Sequence, residues 1–318
     1  MKRTLTLLAS MLLLATPAAA RGATFRIADS TGDDHGDGSV RYPLRGNFQT
    51  GELDLTGFAA YAVEGGTEFE VALARQIRKP DSQVIDFGGS NLTDVARWGF
   101  YTFNVDVYID TDGKPGSGAL NALPERNAEI APENAWERAV ILTPRPPEAR
   151  SALRRYLLRD IKRDKKEAGE RLGEARIEAL RKEIAEEVET RVFFPTRITV
   201  RGNKIRFFVP DEFLGGPASA DWSYVVAISV ANIDGRLDLR GSMGDVGLRG
   251  DTLFVVPLCL SASDECLGGG HEGELDLQTP FVDILVPEGR TQEQVLRSYD
   301  LKSDALVKLP GVKPGKPK

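Results

Sequence analysis

The stretch DSTGDDHGDG, residues 29 to 38, places four carboxylates and three glycines in ten positions, with no apolar residue among them. Asp33 and Asp34 are adjacent, and neighbouring ionised carboxylates repel each other unless a cation offsets them. Hard cations such as Ca2+ take six to eight oxygens from carboxylates and backbone carbonyls, at about 2.3–2.6 Å, and Asp-Gly loops supply both. Asp54, in GELDLTGF, stands at the start of its own strand and can approach the same loop. These residues predict one calcium held by Asp33, Asp34 and Asp54, with Asp29 or Asp37 as additions. A second acidic loop, DVYIDTDGKPGSG at 106–118, sets Asp110 and Asp112 at the end of a strong strand. It reads as a second candidate calcium loop or as a plain turn, because Asp and Gly also dominate turns for backbone reasons. Neither loop is an EF-hand, since DTDGKPGSG lacks the third ligand spacing and the closing Glu, and no helix follows it.

No catalytic set stands out. His35 and His271 are the only histidines and both lie in glycine-rich loops, DDHGDG and GGGHEG. G-x-S-x-G, HExxH and P-loop motifs are absent. A glycosidase needs only two carboxylates in a cleft, but nothing singles out a pair here. The expected activity is therefore binding rather than catalysis, with glycan hydrolysis as an alternative. Sugar-binding surfaces commonly offer exposed aromatic faces, and the chain has three Trp. Trp98, with Tyr101 nearby in ARWGFYTF, is the candidate ligand platform, whereas Trp136 and Trp222 sit within or beside strands and read as core.

The elements that must carry these loops read mainly as strands. TEFEVALARQI (67–77), FYTFNVDVYID (100–110), AWERAVILT (135–143), RITVRGNKIRFFVP (197–210), WSYVVAISVA (222–231) and TLFVVPL (252–258) are rich in β-branched and aromatic residues. Several alternate with period two and are bounded by turn residues, and RGNK makes a hairpin turn. Many strands with close turns predict an antiparallel β-sandwich. TQEQVLRSYD (291–300) opens with Thr291 as N-cap and Gln294 three residues on, a capping box for a short C-terminal helix. The basic, Pro/Gly-rich tail GVKPGKPK (311–318) is expected to be disordered.

Residues 147–191 break the β pattern. Leu153, Leu157, Ile161, Leu172, Leu180, Ile184 and Val188 recur at helical spacing, giving one apolar stripe. One straight helix of this length would carry the chain roughly 65 Å, yet the flanking strands belong to one sandwich. The first half is basic and the second acidic, an order that opposes the helix macrodipole at both ends. Folding back at Gly169–Gly173 sets the halves side by side, so an antiparallel helical hairpin is predicted. It projects as a surface for a protein partner or self-association, or packs on its own domain.

The opening MKRTLTLLASMLLLATPAAA has the form of a secretory signal cut near Ala20, too short to span a membrane as a stop-transfer helix. The mature chain is expected from residue 21, secreted or periplasmic. Without Lys2 and Arg3 it has 39 basic against 47 acidic side chains, a net charge of −8. That excludes a general nucleic-acid or anionic-membrane binder. Cys259 and Cys266, the only cysteines, are expected to form a disulfide closing a small loop in an oxidising compartment.

Taken in order, several motifs resemble the C-terminal domain of glucodextranase and its relatives. TGDDHGDGSVRYPLRGNFQTGELDLTGF resembles its opening, in which a GDD-x-G-x-G run leads to Y-P and then F-x-x-G-x-x-D-L. DVYIDTDGKPGSG, AWERAV, KIRFFVP with LGG behind it, DWSYVVAI and PFVDILVPEGRTQEQVLRSYD follow in the same order. The resemblance covers 21–310 apart from the insertion at 147–191 and the region around the two Cys. It implies a β-sandwich similar to DOMON domains and to family 9 carbohydrate-binding modules. It also implies a calcium-stabilised, non-catalytic module for a carbohydrate or cell-envelope partner. Some DOMON-like sandwiches bind haem through Met with Lys or His, and Met243 is the only Met of the mature chain. That makes a haem-binding electron-transfer protein the alternative, although no C-x-x-C-H is present.

Overall fold

The computed structural model describes residues 22–46, 48–81, 92–231 and 255–315. Two five-stranded sheets face each other. One is antiparallel throughout and is formed by β1 (Phe25–Ala28), β2 (Leu55–Val63), β3 (Gly66–Leu73), β9 (Lys204–Pro210) and β8 (Ile198–Arg201), in that order. The other runs β11 (Phe281–Ile284), β10 (Ser223–Val230), β4 (Phe103–Asp110), β6 (Arg138–Leu142) and β7 (Val192–Phe193), with only the β6–β7 pair parallel. A small parallel pair, β5 (Ala128–Ile130) with β12 (Val307–Leu309), closes one flank. The expected β-sandwich is what the chain forms.

The two sheets differ in how their faces are used, and the sequence patterns show it. In β9, Ile205, Phe207 and Val209 are buried while Lys204, Arg206 and Phe208 point the other way. The alternation is that of a sheet with one wet face. Phe25, Phe58, Phe69, Phe207 and Tyr224 meet from the two inner faces in the main core. By contrast β4 and β10 are buried at every position. The outer face of their sheet carries a second core, with Tyr108, Trp136, Ala139 and Ile141 under Ala149, Leu153, Ile184 and Val188. The latter four belong to helices Pro146–Glu167 and Glu174–Arg191, the inserted hairpin.

Gly169, at φ +75°, reverses the chain between the helices. Arg150 and Arg154 both pair with Glu189 across them, the antiparallel arrangement that the charge order predicts. The hairpin does not stand clear of the domain: its base covers the second sheet.

Other boundaries move. β3 stops at Leu73 rather than running to Ile77, because Ala74 N–H turns away to Asp54 O and Ile77 N–H to Gly202 O. Of the strand expected at 252–258, residues 252–254 lie outside the described residues, and Val255 forms only an isolated bridge to Ala231. The Thr291 capping box forms on a helix limited to Gln292–Leu296. The tail expected to be disordered from Gly311 packs at its start instead. Gly311 N–H donates to Asn134, Val312 exchanges backbone hydrogen bonds with Tyr224, and Pro314 is buried. The signal segment 1–20, residues 316–318 and Met243 lie outside the described residues. Among those described, no helix is long and apolar enough to cross a membrane.

Candidate functional site

The loop 29–38 lies where the two sheets meet, held by partners far away in sequence. Gly36 N–H donates to Val282 O in β11 at 2.9 Å. At φ +60° a Cβ on Gly36 would lie 2.5 Å from Val40 Cγ2 and 2.9 Å from Phe281 O, so this close approach requires glycine. The buried Gln292 side chain donates to the carbonyls of Asp33 and Gly36, and its Oε1 accepts from Ile284 N–H. One amide side chain thus fastens the acidic loop to the end of β11.

Asp33, Asp54 and Asp283 each bring a carboxylate oxygen within 4.8 Å of the others. Asp54 Oδ2 accepts from Gly32 N–H at 2.6 Å and Asp283 Oδ2 from Leu55 N–H at 2.5 Å, so the backbone fixes one oxygen of each. Their other oxygens, with Asp33 Oδ1 and Asp29 Oδ2, are buried and accept no hydrogen bond. Buried polar atoms are nearly always paired, and four unpaired carboxylate oxygens, three of them on the clustered Asp33, Asp54 and Asp283, are a large departure from that rule. The electrostatics agree. Burial pushes the Asp29 carboxyl up to about 7, with the charge of Asp33 adding to it. Burial also raises Asp33 and Asp54, and raises Asp283 well above the usual carboxylate range, with Asp29, Asp33 and Asp54 contributing. With no counter-ion these groups compete for protons; with one, all four can stay ionised.

Of the residues expected at this point, the structure brings Asp33 and Asp54 together, and the charges of both act on the buried Asp29 carboxyl. Asp34 is not gathered into that cluster: its Oδ2 accepts from Tyr42 hydroxyl and from Gly51 N–H, both at 2.5 Å. It braces the loop from the side, since adjacent carboxylates in this turn diverge rather than converge. Asp37 likewise accepts from Ser39 N–H and hydroxyl and from Gln278. His35 lies 3.2 Å from Glu293. Asp283 and Gln292 were not singled out as site residues from the sequence. The signal for Asp283 was available, as a carboxylate in the middle of the apolar run PFVDILV.

The second loop also gathers carboxylates, with Asp110, Asp112 and Glu137 within 4.8 Å. Here each carboxylate accepts local hydrogen bonds, and none of the three has a buried oxygen without a donor. Asp110 Oδ1 accepts from the N–H groups of Asp112 and Gly113, and Asp112 Oδ1 accepts from Lys114 N–H and Ser117 hydroxyl. Glu137 Oε2 accepts from the N–H and hydroxyl of Thr111. The Lys114 ammonium sits 3.5 Å from Asp112, whose carboxyl is lowered chiefly by the Lys114 N–H bond.

The expected aromatic platform is not offered. Tyr101 is buried, and Trp98 is half-buried against the core, with Nε1 donating to Thr196 O and the Arg97 guanidinium 4.6 Å from the ring centre. Trp136 is buried and Trp222 packs partly buried on the core. Cys259 and Cys266 are joined as a disulfide. Their loop is tied to the acidic one by Arg41–Gly268 backbone pairing and by Ser39 hydroxyl to Gly269 O.

A family model described as the C-terminal binding-module, SLH-like, of glucodextranase matches residues 24–310, which takes in both sheets and the helical hairpin. Comparison with the curated proteins finds no match.

Proposed function

The chain belongs to the family of C-terminal, SLH-like binding modules of glucodextranase, and we propose that it is a secreted or periplasmic, non-catalytic binding module for a carbohydrate or cell-envelope partner, organised by one calcium ion. The family is one of binding modules rather than catalytic domains, which supports the first half of this reading. The single observation carrying the second half is the set of four buried, unpartnered oxygens from Asp29, Asp33, Asp54 and Asp283. A donor set made wholly of carboxylates suits Ca2+, which accepts many oxygens in flexible geometry. Mg2+ fits less well, because it keeps several waters in strict octahedral order.

Bound there, the ion supplies positive charge to a site whose ligands come from the N-terminal loop, the start of β2 and β11. It joins the loop to both sheets, and so fixes the surface the loop presents. The disulfide and the signal-like N-terminus support an oxidising, extracytoplasmic location. A haem reading has no support among the described residues, because Met243 lies outside them.

The test is retention on insoluble polysaccharides and purified cell-wall fractions, in calcium and in EGTA, with reducing-sugar release measured alongside. The expected result is calcium-dependent retention on at least one material with no sugar released. Steady hydrolysis, or no retention on any glycan or envelope fraction in calcium, would overturn the reading.

A further inference from the structure

Resting on the reading of this chain as a glycan-binding module, we infer that the outer face of the β1-β2-β3-β9-β8 sheet, which no described helix or sheet covers, is the binding surface, and that its ligand is an acidic glycan carrying carboxylates. The strand registers set its side chains in rows. Arg26 pairs with Ala59, Ala59 with Glu70, Glu70 with Arg206 and Arg206 with Thr199, one row running across all five strands. The row beside it holds Ala72, Lys204 and Arg201. Between the two lies a groove of about 280 Å³ lined by Glu68, Glu70, Thr199, Arg201, Lys204 and Arg206. Neighbouring strands are about 4.8 Å apart, so the full row spans roughly 19 Å, long enough for several sugar units.

Charge selects the ligand. The face carries Arg26, Arg197, Arg201, Lys204 and Arg206 against Glu68 and Glu70, on a chain whose net charge is −6. Glu70 is buried and already neutralised, 2.6 Å from Arg206 and 2.9 Å from Lys204. Arg201 and Arg197 are both exposed and have no ion-pair partner among the described residues. The Arg197 guanidinium lies over the Phe208 ring, 3.6 Å from its centre.

Stacking recognition of a neutral sugar is poorly served here. Tyr61, on the outer face of β2, is buried under Arg26 and Arg206, whose guanidinium carbons lie 5.3 and 4.7 Å from its ring centre. No Trp is exposed elsewhere among the described residues. What the face offers instead is guanidinium and ammonium donors held in register, the groups that recognise carboxylates.

The test is calorimetric titration of the purified protein in calcium at low salt. The probes are a hyaluronan oligosaccharide, a dextran oligosaccharide of equal length and a poly-glutamate of equal charge. The account predicts binding of the uronate-bearing probe alone, weakened at least tenfold by the Arg197→Glu/Arg201→Glu double variant and also weakened by raised salt, since charge contacts at an exposed face are screened within about 8 Å at physiological ionic strength. Both substitutions are at exposed positions, and an unchanged melting midpoint confirms that the variant folds. Dextran binding that the reversal leaves intact would overturn this inference while sparing the binding-module reading. Equal binding of poly-glutamate would assign the face to an acidic protein and overturn it as well. Absence of binding to every glycan would overturn both.

Discussion

The two acidic clusters bring the same number of carboxylates to the same separation, and their chemistry is opposite. Around Asp33, Asp54 and Asp283, the backbone fixes one oxygen each of Asp54 and Asp283 and leaves buried oxygens without donors. Around Asp110, Asp112 and Glu137 the loop turns its own N–H groups, two hydroxyls and a lysine onto the carboxylates. The second turn directs much of its carboxylate oxygen to its own donors. Closeness of acids does not distinguish the two clusters; unspent, buried oxygen does. The difference follows from where the chain comes from. The second cluster is built from residues 110–137, whereas the first needs β11 to deliver Asp283 from the far end of the sequence.

The largest effect that would sharpen this contrast is loss of the calcium response at the first cluster. Calcium at a hundred times its Kd stabilises by about 2.7 kcal/mol, or about 4–5 °C in melting midpoint for a domain of this size. Asp54→Asn keeps an acceptor for Gly32 N–H while removing the charge, and is expected to abolish that rise in calorimetric melts.

The next effect is on pH. Asp29, Asp33, Asp54 and Asp283 have folded-state pKa values raised above their unfolded ones. The native state thus binds more protons than the unfolded chain. In EGTA the stability these groups contribute is present at low pH and is lost as pH rises through the folded values, about 7 for Asp29. Melts in EGTA should therefore fall between pH 5.5 and 8, while the gain on adding calcium grows over the same interval. A gain that is equal at both pH values would break the comparison.

A smaller effect has a distinctive sign. Asp283→Asn removes the cost of either protonating a buried carboxyl or burying its charge among like charges, so in EGTA it is expected to raise the melting midpoint, although in calcium it lowers it. The smallest effect belongs to the second cluster. Asp112→Asn weakens only acceptors at an exposed turn and should leave the calcium-induced shift at its wild-type size.

Much of this was legible in the sequence, and the rest failed for physical reasons. Alternation in RITVRGNKIRFFVP and β-branched runs such as DWSYVVAI mark the strands, and the basic-then-acidic order of 147–191 marks the hairpin. Loop composition points to Asp33, Asp34 and Asp54, with Asp29 or Asp37 as additions. It cannot say that Asp34 turns to Tyr42, because neighbouring side chains in a tight turn diverge by amounts that depend on backbone angles. Nor can it place Asp283, whose hydrogen bond to Leu55 N–H crosses 228 positions; only its isolation in an apolar strand marks it. The aromatic platform failed at Trp98 and Tyr101 because packing, not residue type, decides which rings face water.

The central claim is tested most directly by melting the wild-type protein, Asp283→Asn and Asp112→Asn in EGTA and across a calcium titration. The account predicts concentration-dependent rises that coincide for wild type and Asp112→Asn, and superimposed curves for Asp283→Asn. Wild-type curves that do not move with calcium, or a rise that Asp112→Asn abolishes and Asp283→Asn preserves, would contradict it.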